Sequence, residues 1–261
     1  MVSGAVSHAD GLETGVMVNG VTALVYGGVF VANDVPVAEG EDILYAFATD
    51  SAGNTTDKSI TVTLEPQPKR LDLRSVPKSG LVPFETEIIT NTNFELAEPV
   101  SVSYMGPGEL DSFLVTGDDV LTAKASVPGI YYFTGTAKDE AGTGYDDMVA
   151  VLAVDRAALD ALLQAKWSGM KDAMRAGDIE GAVGYFAYDQ RETFRRIYTL
   201  VAGELAQIAT DMQPIEMIYQ KNDVAEYRLR KDIIFKGEPL SATFYVYFQK
   251  EPDGIWRIWD Y

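Results

Sequence analysis

VMVNGVTALV, residues 16–25, places apolar side chains at alternating positions on both sides of an Asn-Gly pair. Alternation with a period of two is typical of a strand with one buried face. Asn-Gly favours a two-residue hairpin because both of its positions need a positive φ. The alternation returns in residues 43–47 and 59–64, and Gly27-Gly28 marks another tight turn. Residues 1–65 are therefore predicted to form a β-sandwich of short strands.

Residues 66–70 contain two prolines among polar residues, which is typical of a stiff linker. A second β-rich stretch follows this linker. Residues 71–154 share one feature with the first stretch. Asp50 and Asp139 each end a strand, and Gly53 and Gly142 follow three residues later. In such a turn the carboxylate accepts hydrogen bonds from nearby amides, and glycine takes the left-handed conformation. We therefore predict a second β-sandwich over residues 71–154.

The pattern changes to a helical period after Asp155, where apolar residues recur every three or four positions. Three helices are predicted: one through Met174, a short one capped by Asp178, and one over residues 190–211. Four strands are predicted to follow, at residues 215–220, 224–235, 240–250 and 254–260. Helices followed by an antiparallel sheet predict an α+β domain over residues 155–261.

Residues 3–65 resemble bacterial immunoglobulin-like modules. The matching residues are Val18-Asn19-Gly20, Gly28 with Phe30, Val35-Pro36-Val37 before Glu39-Gly40, and Ala48-Thr49-Asp50 leading to Gly53-Asn54. The resemblance implies a spacer or adhesion module of a cell-surface or secreted protein.

The two later stretches resemble other families. Residues 71–154 look like a PKD-type or related immunoglobulin-like sandwich, on the segments 77–84, 129–133 and 137–139. Residues 156–261 are similar to the NTF2-like, cystatin-related superfamily, on the segments 177–179, 182–186 and 253–258. That resemblance implies a cone of three helices followed by a curved four-stranded antiparallel sheet. The superfamily contains enzymes, binding domains and assembly domains, so the fold alone assigns no function.

Charge and composition exclude several functions of the 261-residue chain. Its 39 acidic and 21 basic residues give a formal charge of -18, which repels nucleic acid and anionic membrane surfaces. There is no cysteine, and the single histidine is His8, so the usual zinc ligand sets and Ser-His-Asp catalysis are not expected. We predict no catalytic residues, no metal site and no cofactor.

Two features of the sequence concern the compartment. No apolar run approaches the roughly 20 residues that a membrane-spanning helix needs. The start, Met1 to Gly4, lacks the regions of a signal peptide. We expect an extracellular or cell-surface protein whose signal peptide is not included in this sequence.

The last domain contains the candidate binding residues, because all three tryptophans and many tyrosines lie there. Aromatic and charged side chains on one curved sheet can hold a polar ligand. The alternative is that the aromatics form the core and the charges a solvated outer face. The predicted ligand-binding residues are Tyr198, Tyr227, Arg228, Tyr245, Tyr247, Trp256 and Trp259.

Three functions are compatible with these patterns. The favoured one is a non-catalytic extracellular binding or adhesion protein, with the sandwiches as a semi-rigid stalk and the last domain recognising a glycan, a small polar ligand or a surface protein. The second is an enzyme of isomerase or hydrolase type that uses a pocket of the last domain. The third is a structural module that forms a homodimer through the outer sheet face around Tyr245 and Tyr247.

Overall fold

A computed structural model describes residues 1–8, 11–235 and 238–261. The chain divides into two compact units, the first Met1–Asp155 with Pro252–Ile255 and the second Arg156–Glu251 with Trp256–Tyr261. Strands make up 51% of the chain and helices 17%, so the protein is mostly β.

Strands separated by turns form the start of the first unit, as predicted, although only β1–β5 are short. They are β1 (Val2–Ala5), β2 (Thr14–Val18), β3 (Val21–Thr22), β4 (Leu24–Tyr26), β5 (Val29–Ala32), β6 (Gly40–Asp50) and β7 (Thr55–Leu64). Asn19 and Gly20 have φ values of 46° and 84°, which confirms the hairpin between β2 and β3. One sheet has the order β1-β5-β4 and the other β3-β2-β6-β7. Val16 and Val18 of the second sheet pack against Ala32 of the first, so the two sheets share a small core.

The next eight strands form a larger sandwich. They are β8 (Leu71–Val76), β9 (Ser79–Leu81), β10 (Phe84–Thr92), β11 (Ser101–Met105), β12 (Ser112–Val115), β13 (Val120–Ala125), β14 (Gly129–Lys138) and β15 (Gly144–Val154). The order β12-β13-β10-β8 faces the order β11-β14-β15-β9. Leu73 and Ile88 of one sheet meet Tyr131, Phe133 and Val151 of the other in a buried core. The prediction of β-sandwiches before Asp155 is confirmed, while the exact domain boundaries stay a prediction.

The second half of strand β15, from Val149 to Ala153, is buried on both faces. Val149, Val151 and Ala153 point into the larger core, whereas Ala150 and Leu152 point the other way. There they form a second cluster with Leu24 and Val31 of the first sandwich. The two sandwiches of this unit therefore share apolar packing, which restricts bending between them.

Asn33 adds a polar contact to this packing. Its Nδ2 donates to the Ala150 carbonyl at 2.8 Å, and its Oδ1 accepts from the Ala150 amide at 3.0 Å. Asn33→Ala leaves both buried backbone groups without this partner and is expected to lower the free energy of unfolding by about 1–3 kcal/mol. Urea unfolding of the full chain measures the change.

Asn93 supplies a matched control for Asn33. The Asn93 side chain makes the same two kinds of hydrogen bond: its Oδ1 accepts from the backbone amide of Arg70 at 2.8 Å, and its Nδ2 donates to the carbonyl of Pro68 at 2.9 Å. These backbone groups are exposed to solvent. Water replaces exposed partners, so Asn93→Ala is expected to cost less than about 1 kcal/mol. Equal losses for the two variants contradict the role given to Asn33.

The repeated aspartate turns have nearly the same geometry. Asp50 Oδ1 accepts from the amides of Ala52 and Asn54, both at 2.9 Å. Asp139 Oδ1 accepts from the amides two and four residues later, at 3.0 and 2.9 Å. Gly53 has a φ of 87° and Gly142 one of 82°, as the sequence predicts. The second oxygen of each carboxylate contacts a basic side chain from a distant part of the sequence. Asp50 Oδ2 lies 2.7 Å from His8 Nε2, and Asp139 Oδ2 lies 2.6 Å from Lys69 Nζ.

These hydrogen bonds predict a specific acid response of the first unit. Donation from the Lys69 ammonium and the Thr143 amide lowers the pKa of Asp139 to about 2. Donation from the Asn54 side chain and amide and from His8 lowers the pKa of Asp50 to about 2 as well. A lowered folded-state pKa stabilises the fold above the unfolded value near 3.8, and this stabilisation is lost as the pH falls towards 2.

Carboxyl carbon NMR titration measures both pKa values directly. Lys69→Met removes the ammonium group that donates to Asp139. The pKa of Asp139 is therefore expected to rise, while that of Asp50 stays near 2. If both carboxyls titrate near 3.8 in the unchanged protein, the hydrogen-bonding scheme is incorrect.

Four helices begin the second unit. They are α1 (Arg156–Arg175), α2 (Ile179–Gly184), α3 (Arg191–Leu200) and α4 (Leu205–Asp211). The cap predicted at Asp178 is confirmed, because its Oδ1 accepts from the Gly181 amide at 2.9 Å. The single helix predicted over residues 190–211 is wrong, because a turn at residues 201–204 divides it into α3 and α4.

The predicted fold class is also wrong. Strands predominate over the chain, four helices stand where three were predicted, and the described residues of the second unit form no clear cone of three helices and a curved sheet. The order of helices and strands suggested an NTF2-like domain, but this order alone does not determine how the helices pack on the sheet.

Four antiparallel strands complete the second unit, in the order β16 (Glu216–Lys221), β17 (Val224–Phe235), β18 (Glu238–Lys250) and β19 (Trp256–Asp260). Tyr227, Val246 and Phe248 are fully buried on one face of this sheet. Phe244 shares this face with Val246 and Phe248 by alternation, yet it is 47% exposed. The long β17–β18 hairpin therefore continues beyond the part of the sheet that the helices cover.

Candidate functional site

Exposed and half-buried aromatic and charged side chains share the outer face of the sheet formed by β16–β19. We call this set the aromatic face. Its members are Tyr219, Glu226, Arg228, Tyr245, Tyr247 and Trp259.

Strand alternation explains how β17 and β18 contribute to the aromatic face. Successive side chains of a strand point to opposite faces, so burial of Tyr227 turns Glu226 and Arg228 outward. The antiparallel register places Glu226 opposite Tyr247 and Arg228 opposite Tyr245. Directly opposed residues are close enough for their side chains to interact, so each charge lies beside an aromatic ring.

Trp259 lies on the same face, because it follows the buried Ile258 along β19 and successive side chains alternate. Tyr247 pairs with Asp260, whereas the next residue of β18, Phe248, pairs with Ile258. The extra residue is Trp259, and its ring lies 6.2 Å from the Tyr247 ring at an interplanar angle of 75°. This edge-to-face geometry is favourable for two aromatic rings. Trp259 keeps 40% of its surface exposed, so much of the indole remains available to a ligand.

The charges of the aromatic face are held in position by neighbours. Arg228 donates from Nε and Nη2 to the two carboxylate oxygens of Glu216, at 3.0 and 2.9 Å. This bidentate pair lowers the pKa of Glu216 and fixes the plane of the guanidinium. Desolvation and the nearby Glu226 raise the pKa of Tyr219 and of Tyr247. Both hydroxyls therefore stay protonated at neutral pH and can donate hydrogen bonds.

Four of the seven predicted site residues lie on the aromatic face, namely Arg228, Tyr245, Tyr247 and Trp259. The other three are interior residues. Tyr227 donates to Asp160 Oδ1 at 2.9 Å, and the Tyr198 hydroxyl lies 2.8 Å from that of Tyr261. Trp256 is 4% exposed, with Lys250 Nζ 5.2 Å from its ring centroid. The structure does not bring these three side chains to the aromatic face.

Tyr219 belongs to the face although the sequence did not indicate it. Simple alternation puts Tyr219 on the same side as Met217, which is nearly buried. A register shift between these two residues turns Tyr219 outward, where it is 42% exposed. A bulge of this kind has no clear sequence signature, so alternation alone could not identify Tyr219.

Residues 1–8, 11–235 and 238–261 contain neither a metal-binding cluster nor a membrane-spanning helix. No group of three His, Asp or Glu side chains in these ranges could hold a metal ion. No helix in the same ranges is both long and apolar enough to cross a bilayer.

Comparison with known proteins gives no family assignment. No family model matches the chain, and no curated protein matches it significantly. Among solved structures, one match is SGBP-B of the Bacteroides ovatus mixed-linkage glucan utilization locus, in complex with a mixed-linkage heptasaccharide. It is 15% identical, with 57% of this chain and 40% of that chain covered and a TM-score of 0.20.

Two further matches are a protocadherin and a desmocollin. The protocadherin gammaB7 cis-dimer is 10% identical, with 54% of this chain and 40% of that chain covered and a TM-score of 0.25. The human desmocollin-1 ectodomain is 12% identical, with 57% and 31% covered and a TM-score of 0.23. The chain thus spans less than half of each matched chain. At these TM-scores the matches carry no argument about function, and they give no support to an NTF2-like domain.

Proposed function

We propose that the chain is a non-catalytic binding protein of the cell surface or extracellular space, and that it recognises a glycan through the aromatic face. The single observation that carries the proposal is the cluster of partly exposed rings around Tyr245, Tyr247 and Trp259 beside two charged groups. The sandwiches of the first unit act as a support for this recognition surface.

The chemistry of the aromatic face suits a sugar. A pyranose ring has an apolar face of C–H groups and a rim of hydroxyls. Tyrosine and tryptophan offer flat apolar surfaces with a polar edge, on which such a ring can stack. Arg228 and Glu226 can donate to and accept from the hydroxyl rim, and charge-assisted hydrogen bonds are among the stronger polar contacts.

A glycan array probed with the full chain tests this proposal. We expect retention of one class of oligosaccharide, followed by saturable binding in calorimetry with a Kd in the micromolar to millimolar range. Binding to the array that persists after simultaneous Tyr245→Ala and Trp259→Ala substitution contradicts the assignment to the aromatic face. No retained glycan at all contradicts the proposed ligand class.

A second candidate is self-association through the same sheet. It is favoured by the exposed apolar residues near the end of the β17–β18 hairpin, where Ile234 is 80% and Leu240 is 49% exposed. Sedimentation over a range of concentrations measures it. Loss of a dimer on Tyr247→Glu substitution supports this candidate, and a monomer at all concentrations excludes it.

A further inference from the structure

The first sandwich contains an apolar cleft outside the proposed glycan surface. The cleft has a volume of about 510 Å³ and lies between β1 and the β6–β7 hairpin. Its walls include Val2 and Val6 on one side and Leu44, Ala46 and Ile60 on the other. The cleft therefore lies along the line where the two sheets of the sandwich should close on each other.

The core beneath this cleft is sealed incompletely. Its fully buried members are four small residues, Val16, Val18, Ala23 and Ala32. Larger apolar side chains around them, including Phe30 and Leu44, are only partly buried. Ile60 at the mouth of the cleft is 53% exposed. An additional apolar strand in the cleft could remove these side chains from water, which is favourable by about 25 cal/mol per Å² of apolar surface.

Both walls of the cleft end in an edge strand. Within the described part of the chain, β1 pairs only with β5 and β7 pairs only with β6. Strand β7 is ten residues long and almost entirely exposed. The outer edge of such a strand presents backbone donors and acceptors that another extended segment can use. The ten residues of β7 offer a longer template than the four of β1.

The negative charge of the first sandwich indicates which kind of segment can bind in the cleft. Residues 1–65 contain nine Asp or Glu side chains and one lysine, Lys58, with no arginine. A second copy of the chain carries the same excess of negative charge and is repelled. A segment with lysine or arginine residues is attracted, and this complementarity raises the rate of association and the specificity.

We propose that the cleft binds an extended basic segment of a partner protein. The segment adds to the free edge of β7 as a further strand and places every second, apolar side chain in the cleft, between Val2 and Ile60. Its basic side chains point to the opposite face of the sheet, where the register places Glu41 of β6 and Asp57 of β7.

A synthetic peptide tests this proposal with the full chain. The probe is the fluorescein-labelled sequence Lys-Val-Thr-Val-Lys-Val-Thr-Val-Lys, and its control has the same composition with the four valines consecutive. We expect saturable binding by fluorescence anisotropy that is at least tenfold tighter for the alternating peptide. A second control with proline at the central position removes one backbone donor and is expected to bind at least tenfold more weakly.

Variants of the cleft locate the binding. Ala46→Trp fills the cleft and is expected to weaken binding at least tenfold, whereas Thr61→Trp, on the opposite face of β7, is expected to leave it unchanged. If Ala46→Trp does not fold, Ile60→Lys serves instead, since Ile60 is exposed and a cation there is unfavourable beside the apolar side chains that enter the cleft.

Amide hydrogen exchange identifies the strand that receives the peptide. Slower exchange in residues 55–64 on peptide addition supports the proposal. Three results overturn it: equal binding of the consecutive-valine peptide, protection confined to other elements, or concentration-dependent protection of β7 without peptide, which identifies a second copy as the occupant.

Discussion

Replacement of Trp259 or Tyr245 by alanine is expected to weaken glycan binding by about 10- to 100-fold, which is the range of a buried aromatic hot spot. Each ring is about half exposed in the free protein, so a ligand can cover it without displacing the core. For the same reason the free energy of unfolding is expected to change by less than about 1 kcal/mol. Calorimetry with the oligosaccharide retained on the array measures the affinity, and urea unfolding measures the stability.

Tyr45 provides a matched control for Tyr245. The two tyrosines are 45% and 48% exposed, and both lie within long strands, but Tyr45 belongs to the first sandwich. Tyr45→Ala is expected to leave the affinity unchanged. An equal loss of affinity in Tyr45→Ala and Tyr245→Ala indicates a general effect on the protein and contradicts a site on the aromatic face.

Replacement of Trp167 by alanine is expected to destabilise the second unit by about 3–5 kcal/mol. Trp167 is 2% exposed on α1, and its ring packs edge-to-face on Tyr261 with a centroid distance of 5.3 Å. Its Nε1 also donates to the Gln213 carbonyl at 3.4 Å. Deletion of the indole leaves a cavity between the helix and the end of the chain, and the surroundings relax only partly.

Circular dichroism during urea unfolding measures the effect of Trp167→Ala. The control is Ser168→Ala, one residue further along the same helix, where the side chain is exposed and the change is expected to stay within about 0.5 kcal/mol. A loss below about 1 kcal/mol for Trp167→Ala contradicts its position in the core.

Local signals in the sequence predicted much of the sandwich region. Asn19-Gly20 and the two Asp-to-Gly turns were identified correctly because short-range backbone preferences determine them. The strand predicted over residues 224–235 has those bounds in β17. Residues 149–154 are all apolar. A continuous apolar run of this kind indicates a strand that is buried on both faces, whereas alternation of apolar and polar residues indicates burial of one face only.

In the helical region, the spacing of apolar residues did not show that the predicted helix over residues 190–211 is two helices. Phe194 and Tyr198 of α3 and Leu205 and Ala209 of α4 are all buried, so the apolar stripe continues across the turn at residues 201–204. A continuous stripe predicted one helix because both segments face the same core. The exposed Leu200, at 86%, marks the end of α3. Gly203 in the following turn is a local stop signal, but the continuous apolar stripe outweighed it in the prediction.

The site was predictable to the extent that strands alternate regularly. Arg228, Tyr245 and Tyr247 follow simple alternation, because β17 and β18 pair without a register shift over their whole shared length. The position of Tyr219 depends on a register shift, which moves a side chain to the other face of a sheet. Such shifts arise from pairing between strands and cannot be deduced from either strand alone.

Chemical-shift mapping of the isotopically labelled chain with its bound oligosaccharide tests the central claim most directly. Recognition through the aromatic face predicts that the largest perturbations fall on Tyr219, Tyr245, Tyr247 and Trp259 and on the side chain of Arg228. Perturbations confined to the helices α1–α4 or to the sandwiches of residues 1–154 would contradict the claim.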